Sequence, residues 1–307
     1  MSLRINNNIE SMNAHRNLLM NDRALSKSLE RLASGQKINR AADDPAALVI
    51  SEHMRAQVSG MEQAIRNNEV AISLVQTAEG SMNEISSILV SLRQRAISAA
   101  NVGASDQDMI DANQAEIENA LASIDRVVST TQFGHYKLLD GTNAAKTETN
   151  EDGSISTREG LRFHVGPNAE HMASTSIRDM STSALGRVTV KEGEMPNKSN
   201  FMSLADIDVR NEQGAQDALA IIDQALTEVA TVRGELGAFQ KHTLESNLTS
   251  LQVAAENMTA AESTIRDTDM AQELATFTRN QIMTQSATAQ LAQANAMPQH
   301  VLRLLNG

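Results

Sequence analysis

The sequence predicts a mainly α-helical protein: long helical arms from both termini, packed as a coiled-coil-like rod, with a small β-element in the middle. Three observations carry this. The four prolines are Pro45, Pro167, Pro196 and Pro298, so 46–166 and 197–297 contain none and are free to run as long helices. Apolar residues in both stretches recur at alternating spacings of three and four, the seam of packed helices. Six of the 15 glycines fall between Gly141 and Gly193, in a Ser-, Thr-, Asn- and Glu-rich middle that reads as turns and short strands.

In chain order, Ile5, Ile9 and Met12 are spaced four and three apart, and Leu25, Leu29 and Leu32 repeat that spacing up to a break at Ser34-Gly35. Asp44 and Pro45 then read as an N-cap and first helical residue. From there a helix of about 80 Å is expected to reach Ala100, at 1.5 Å per residue. Its seam is read as Val58, Met61, Ile65, Asn68, Ile72 and Val75, then Met82, Ile85, Leu89 and Leu92, with a phase slip near Ala78. A second helix is expected from Ser105, with Asp108 closing a capping box, to about Thr130. It buries Ile110, Ile117, Leu121, Ile124 and Val128 on one face.

The C-terminal arm mirrors this. Leu219, Ile222, Leu226 and Val229 form one seam, and Leu244, Leu248, Leu251, Ala255, Met258 and Ile265 another. Met270, Leu274 and Phe277 extend it into a small-residue stretch from Gln285 to Ala296. Pro298 is expected to interrupt the helix, leaving Val301, Leu302, Leu304 and Leu305 as a last short amphipathic turn. The ends, 1–40 and 270–307, carry too little apolar mass for a domain of their own. They are expected to be loose in the monomer and to order on assembly.

Composition narrows the function. With no Cys there is no disulfide framework, thiolate metal site or Cys nucleophile. A net charge of −12 disfavours nucleic acid and anionic membranes, which require clustered Lys and Arg. Aromatics are only 2% of the chain against 15 Met, so aliphatic side chains and Met must build the core. None of the seven histidines stands in H-E-x-x-H spacing, and there is no phosphate-binding glycine loop. The carboxylate pairs Asp43-Asp44, Asp106/Asp108 and Asp267/Asp269 read as helix caps. No enzyme activity, metal or cofactor is expected. Met1–Asn8 has no uninterrupted apolar stretch, so no cleaved signal peptide is expected, and no run of about 18 apolar residues suggests a membrane span.

Specific residues then become recognisable. Leu29-Glu30-Arg31-Leu32-Ala33-Ser34-Gly35 and Ile38-Asn39-Arg40-Ala41-Ala42-Asp43-Asp44 resemble the N-terminal signature of bacterial flagellins. So do Ala14-His15-Arg16-Asn17-Leu18, Gln76-Thr77-Ala78-Glu79-Gly80 and Thr131-Gln132-Phe133. Leu236-Gly237-Ala238, Leu291-Ala292-Gln293-Ala294-Asn295, Pro298-Gln299 and Val301-Leu302 with Leu304-Leu305 are similar to the C-terminal signature. Phe163–Ala169 is similar to the family's β-element. The match covers roughly 1–186 and 205–307.

The resemblance implies a filament subunit of the bacterial flagellum, a homopolymer working outside the cell. It implies an inner domain of 1–44 plus 268–307 and a helical-rod domain of 45–186 plus 205–267. A short linker, 187–204, stands where longer relatives carry outer domains. Ile5, Ile9, Met12, Leu18, Leu25, Leu29, Leu32, Leu291, Val301, Leu302, Leu304 and Leu305 would serve polymerisation. The implied partners are the type III export apparatus, an export chaperone on 270–307, and the cap and hook–filament junction proteins; no nucleic acid and no membrane.

There are departures. Pro45-Ala46-Ala47 replaces the usual Ala-Ala-Gly, a feature shared with junction proteins, which remain an alternative. Gly134-His135 replaces Asn-Gly. The motif read by the innate immune receptor for flagellin is altered: Leu89, Arg93 and Glu116 match, but Ser91, Gln94 and Arg95 do not, so weak recognition is expected. A chemoreceptor-type signalling hairpin is a third reading, though it would want a tight turn where this chain has 141–200.

Overall fold

The computed structural model describes residues 8–101, 106–149, 155–158, 160–187 and 198–305. The chain falls into two compact units, Met1–Ser59 with Ala255–Gly307, and Gly60–Ala254. Ile5 and residues 188–197 of the expected linker lie outside the described residues.

The first unit is built on helix α1, Ile9–Ser34, packed antiparallel on α6, Met270–Leu305. Asn8 caps α1, its side chain accepting from the Ser11 amide. Gly35 ends it in the left-handed conformation at φ 72°, with its N–H on the Arg31 carbonyl. The connections pair with each other: Lys37 donates to the Arg266 carbonyl at 2.7 Å and Thr268 to that of Gly35 at 2.9 Å. Asp44 accepts from the Ala47 amide at the start of α2, Pro45–Ala100, as its sequence predicts. Asp269 accepts from the amides of Ala271 and Gln272 at the start of α6.

Pro298 does not interrupt α6, contrary to expectation; the helix continues to Leu305. A helical proline leaves the carbonyl four residues back without its N–H partner. Here that carbonyl belongs to Ala294, and the Asn8 side-chain amide donates to it at 2.8 Å. The missing donor is supplied by the other end of the chain.

In the second unit the seam of α2 departs from the sequence reading. Met61, Ala64, Asn68, Ala71, Val75, Ala78, Met82, Ile85, Leu89, Leu92, Ala96 and Ala99 are buried in an unbroken alternation of three and four, with Leu74 buried beside them. There is no phase slip at Ala78. Ile65 and Ile72 flank the seam half-buried, and alanines hold several of the inward positions. Helix α3, Gln107–Thr130, buries the expected Ile110, Ile117, Leu121, Ile124 and Val128. Its start differs: the N-cap is Asp106, without a side-chain cap bond, and Ser105 lies outside the described residues.

Helix α4, Glu212–Ala238, runs through a π-helical segment, Phe239–Glu245, into α5, Ser246–Arg266. This explains the two separate seams of the C-terminal arm. A heptad after Leu236 would turn Thr243 inward. The wide turn takes up one extra residue, and fully buried Leu244 occupies that place.

Among the described residues the β-structure is three separate antiparallel pairs: β1, Gln132–Phe133, with β2, Tyr136–Lys137; β3, Lys146–Thr149, with β4, Ile155–Arg158; and β5, Leu161–His164, with β6, Met172–Thr175. In the first, Gly134 has φ 63° and His135 is not left-handed, as a type II′ turn requires. An Asn-Gly pair would favour type I′, so Gly-His is a second solution to the same hairpin.

Candidate assembly surface of the terminal helix pair

The α1–α6 seam mixes small and polar side chains with four leucines and a phenylalanine. The less exposed positions of α1 include Ser11, Ala14, Leu18, Asn21, Leu25, Ser28 and Leu32, and those of α6 include Glu273, Phe277, Asn280, Thr284, Ala287, Leu291 and Ala294. Both series alternate three and four. Polar bridges run the length of the pair. Ser11 Oγ donates to Asn295 Oδ1 at 2.6 Å, Asn21 to the Met283 carbonyl at 3.4 Å and Asn280 to Ser28 Oγ at 3.3 Å; Arg31 lies 3.7 Å from Glu273. Buried polar residues in a helix seam fix register more than they add stability.

The apolar side chains left over point outward. Ile9 is 56% exposed, Met12 68% and Leu29 54%, joined by Leu19 and Met20 on α1. On α6 the exposed set is Met270, Leu274, Ile282, Met283 and Met297. A shallow groove along α6 is lined by Ala271, Leu274, Ala275, Thr278, Arg279, Ile282 and Met283. An exposed apolar surface of this kind is a site for packing against other polypeptide.

Of the residues assigned to polymerisation from sequence, Ile9, Met12 and Leu29 are on this outward face. Leu18, Leu25, Leu32 and Leu291 are half-buried along the seam. The side chains of Val301, Leu302, Leu304 and Leu305 lie outside the described residues.

Of the residues matched to the immune-receptor motif, Leu89 is fully buried in the α2 seam and has no surface to offer. Arg93 donates to Asp223 at 2.6 Å; that hydrogen bond and charge raise its pKa above the ordinary arginine value. Glu116 pairs with Arg95 at 2.7 Å.

Several polar residues that sequence reasoning passed over hold loops in place. Asn67 donates to the His164 carbonyl and Asn68 to those of Ala64 and Val165, while Asn247 also donates to Val165. Together with the Phe163–Phe239 ring contact, 6.2 Å between centroids, these amides fasten the β5–β6 hairpin to the helices. A signal existed: Asn68 stands at a seam position, where an amide needs buried partners. Gln114 likewise accepts from the Val209 amide and donates to the Ile207 carbonyl. Carboxylates secure other loop amides: Asp125 that of Thr182, Asp217 that of Ser199 and Glu228 that of Gly186.

Asp43 accepts from the Asn39 and Arg40 amides and pairs with Lys27 at 2.6 Å. The Lys27 hydrogen bond, aided by the two amides and opposed by burial, holds its pKa at about 2. Among the described residues no group of three or more His, Asp or Glu is placed to hold a metal ion, and no helix is long and apolar enough to cross a membrane.

Comparison with known proteins agrees with this architecture. The profile described as the bacterial flagellin N-terminal helical region matches residues 5–144, and that of the bacterial flagellin C-terminal helical region matches 219–305. A flagellin of Bacillus subtilis (strain 168) is 40% identical over 99% of this chain and 100% of its own length. A flagellar filament 30.7 kDa core protein of Treponema maltophilum is 39% identical over 98% and 99%. In fold, the chain is similar to the solved structure of a putative flagellar hook-associated protein from Vibrio parahaemolyticus, with TM-score 0.56 at 15% identity over 73% of this chain and 100% of that one.

The chain belongs to the bacterial flagellin family. It is a structural subunit of the bacterial flagellar filament, of a short form, and serves motility. Filament subunits of this family are extracellular parts of the flagellum.

Proposed function

We propose that the paired ends are the polymerising part of the subunit, and that the outward apolar face of α1 and α6 is buried against neighbouring copies. The carrying observation is the apolar set left outside the pair: Ile9, Met12, Leu29, Leu274, Ile282 and Met283 are exposed, while the seam itself mixes leucines and Phe277 with amides and small residues. Packing against neighbouring copies would bury that outward set. Identical copies joined head to tail through a non-closing contact generate a helical tube, which needs no active site. The inner domain would comprise 1–44 with 268–307, the helical domain 45–186 with 205–267, and 187–204 a short linker.

Unassembled, the same face is an aggregation liability. A chaperone covering 270–307 until export, passage through the type III apparatus without a cleaved signal, and addition at the tip between cap and junction proteins fit that liability. Receptor recognition is weak on this reading: Leu89 is buried, and Glu116 and Arg93 are engaged by Arg95 and Asp223.

The test is assembly of purified chain, seeded or salt-induced, followed by negative-stain microscopy. Long filaments are expected from the full chain, and none from chains lacking 1–40 or 270–307 that keep the helical circular dichroism of the remainder. Short oligomers alone from the full chain would assign it to the junction proteins.

A further inference from the structure

The two ends of the chain meet at one unusual contact. Asn8 uses both halves of its amide: Oδ1 accepts from the Ser11 amide and caps α1, while Nδ2 donates at 2.8 Å to the carbonyl of Ala294, 286 residues away. The orientation is fixed, because a flipped amide would set donor against donor and acceptor against acceptor. Ala294 is four residues before Pro298, so its carbonyl is the one that loses its helical partner to the proline. One residue along, Ser11 Oγ donates to Asn295 Oδ1 at 2.6 Å.

We infer that Asn8 and Pro298 act as a register lock for assembly: Pro298 leaves a carbonyl open in α6, and only the start of α1, in one register, closes it. The inference rests on the filament reading above. The polar bridges along the seam already favour one register, and the Asn8–Ala294 contact adds a bond at the far end of α6 that the helix backbone cannot make for itself. An orphaned acceptor is a penalty paid in every register except the right one. The lock also couples the two ends, since the Ala294 carbonyl finds its donor only when α1 has begun correctly.

The test is a double-mutant cycle in the full-length chain, read as the critical concentration for filament growth. Asn8→Asp keeps an acceptor for Ser11 and so keeps the cap, but removes the donor. It is expected to raise the critical concentration about tenfold, the loss of one bond to a part-buried carbonyl. Pro298→Ala restores an N–H that pairs Ala294 within the helix, and in the Asn8→Asp background it is expected to return the critical concentration to within about twofold of the parent. Asn8→Ala loses cap and donor together, so Pro298→Ala should recover it only in part.

A double variant as defective as Asn8→Asp alone, or worse, overturns the lock and leaves Asn8 a simple cap. Unimpaired growth of Asn8→Asp overturns it equally. Failure of the parent chain to grow filaments counts against the filament reading instead. The same cycle is then read by amide exchange of 294–302 in the soluble chain, where rescue supports the lock and additivity overturns it.

Discussion

The alanine seam of α2 makes a sharp prediction at Ala71. This residue is fully buried, whereas the adjacent Ile72 is half-buried at the edge. Ala71→Leu adds three carbons at a position with no exposed surface, and overpacking of this kind costs about 1–3 kcal/mol. For a unit of 150–250 residues each kcal/mol lowers Tm by about 2–4 °C, so the drop should be about 2–12 °C. Ala64 and Ala78 stand one heptad either side, about 10 Å along the axis, so Ala64→Leu and Ala78→Leu should add nearly independently. Ile72→Ala removes only partly buried surface and should cost less than the 2–5 kcal/mol of a core isoleucine. The assay is thermal unfolding of the soluble chain, followed by circular dichroism at 222 nm. If Ala71→Leu leaves Tm within the scatter of a surface substitution while Ile72→Ala is severely destabilising, the bulky residues hold the seam and the unbroken alternation is wrong.

Other outcomes can be checked in the same chain. Deleting Thr243 removes the extra residue of the π segment, keeps Leu244 on the heptad and should leave helicity undiminished. Inserting an alanine there turns Leu244 and Leu251 out of the seam and should cost several kcal/mol by denaturant titration. The carboxyl of Asp43, held at about 2 against an ordinary value of 3.8, stabilises the Asn39–Asp44 turn above about pH 4; that contribution is lost as pH falls from about 4 toward 2. Exchange of the Asn39 and Arg40 amides should accelerate over that window, and Asp43→Asn should remove the pH dependence. Gly141→Ala should be worse than Gly35→Ala in chemical denaturation. Both glycines are left-handed, a conformation costing a side chain about 1–2 kcal/mol, but a Cβ at 141 would also stand 2.8 Å from the Asp179 Cβ, while nothing lies within 4 Å at 35.

The helices were legible because their apolar spacing is local, and the Asp44-Pro45 start because a cap and its helix are adjacent in the chain. The phase of α2 was misread because bulk was taken as the mark of the seam. The inward residues there are small, and Ala64, Ala71 and Ala78 look unremarkable beside Ile65 and Ile72. Pro298 was read as a stop by a rule that holds when no outside donor exists; its donor, Asn8, lies at the far end of the sequence. The π segment looked like two seams, because one extra residue leaves no compositional mark. The outward face of the terminal pair was partly legible: Ile9, Met12 and Leu29 were found by their spacing, but whether each faced its partner helix or away depended on polar bridges such as Ser28–Asn280 that join residues far apart in sequence.

The wide turn at Phe239–Glu245 has a consequence for how this chain can change over generations. A coil that must keep its heptad over its whole length tolerates no gain or loss of a single residue, since every position downstream would be turned to the wrong side. A turn that already holds one extra residue can lose it without shifting the stretches it joins, so a single-residue deletion there is settled locally while one elsewhere in the coil is not.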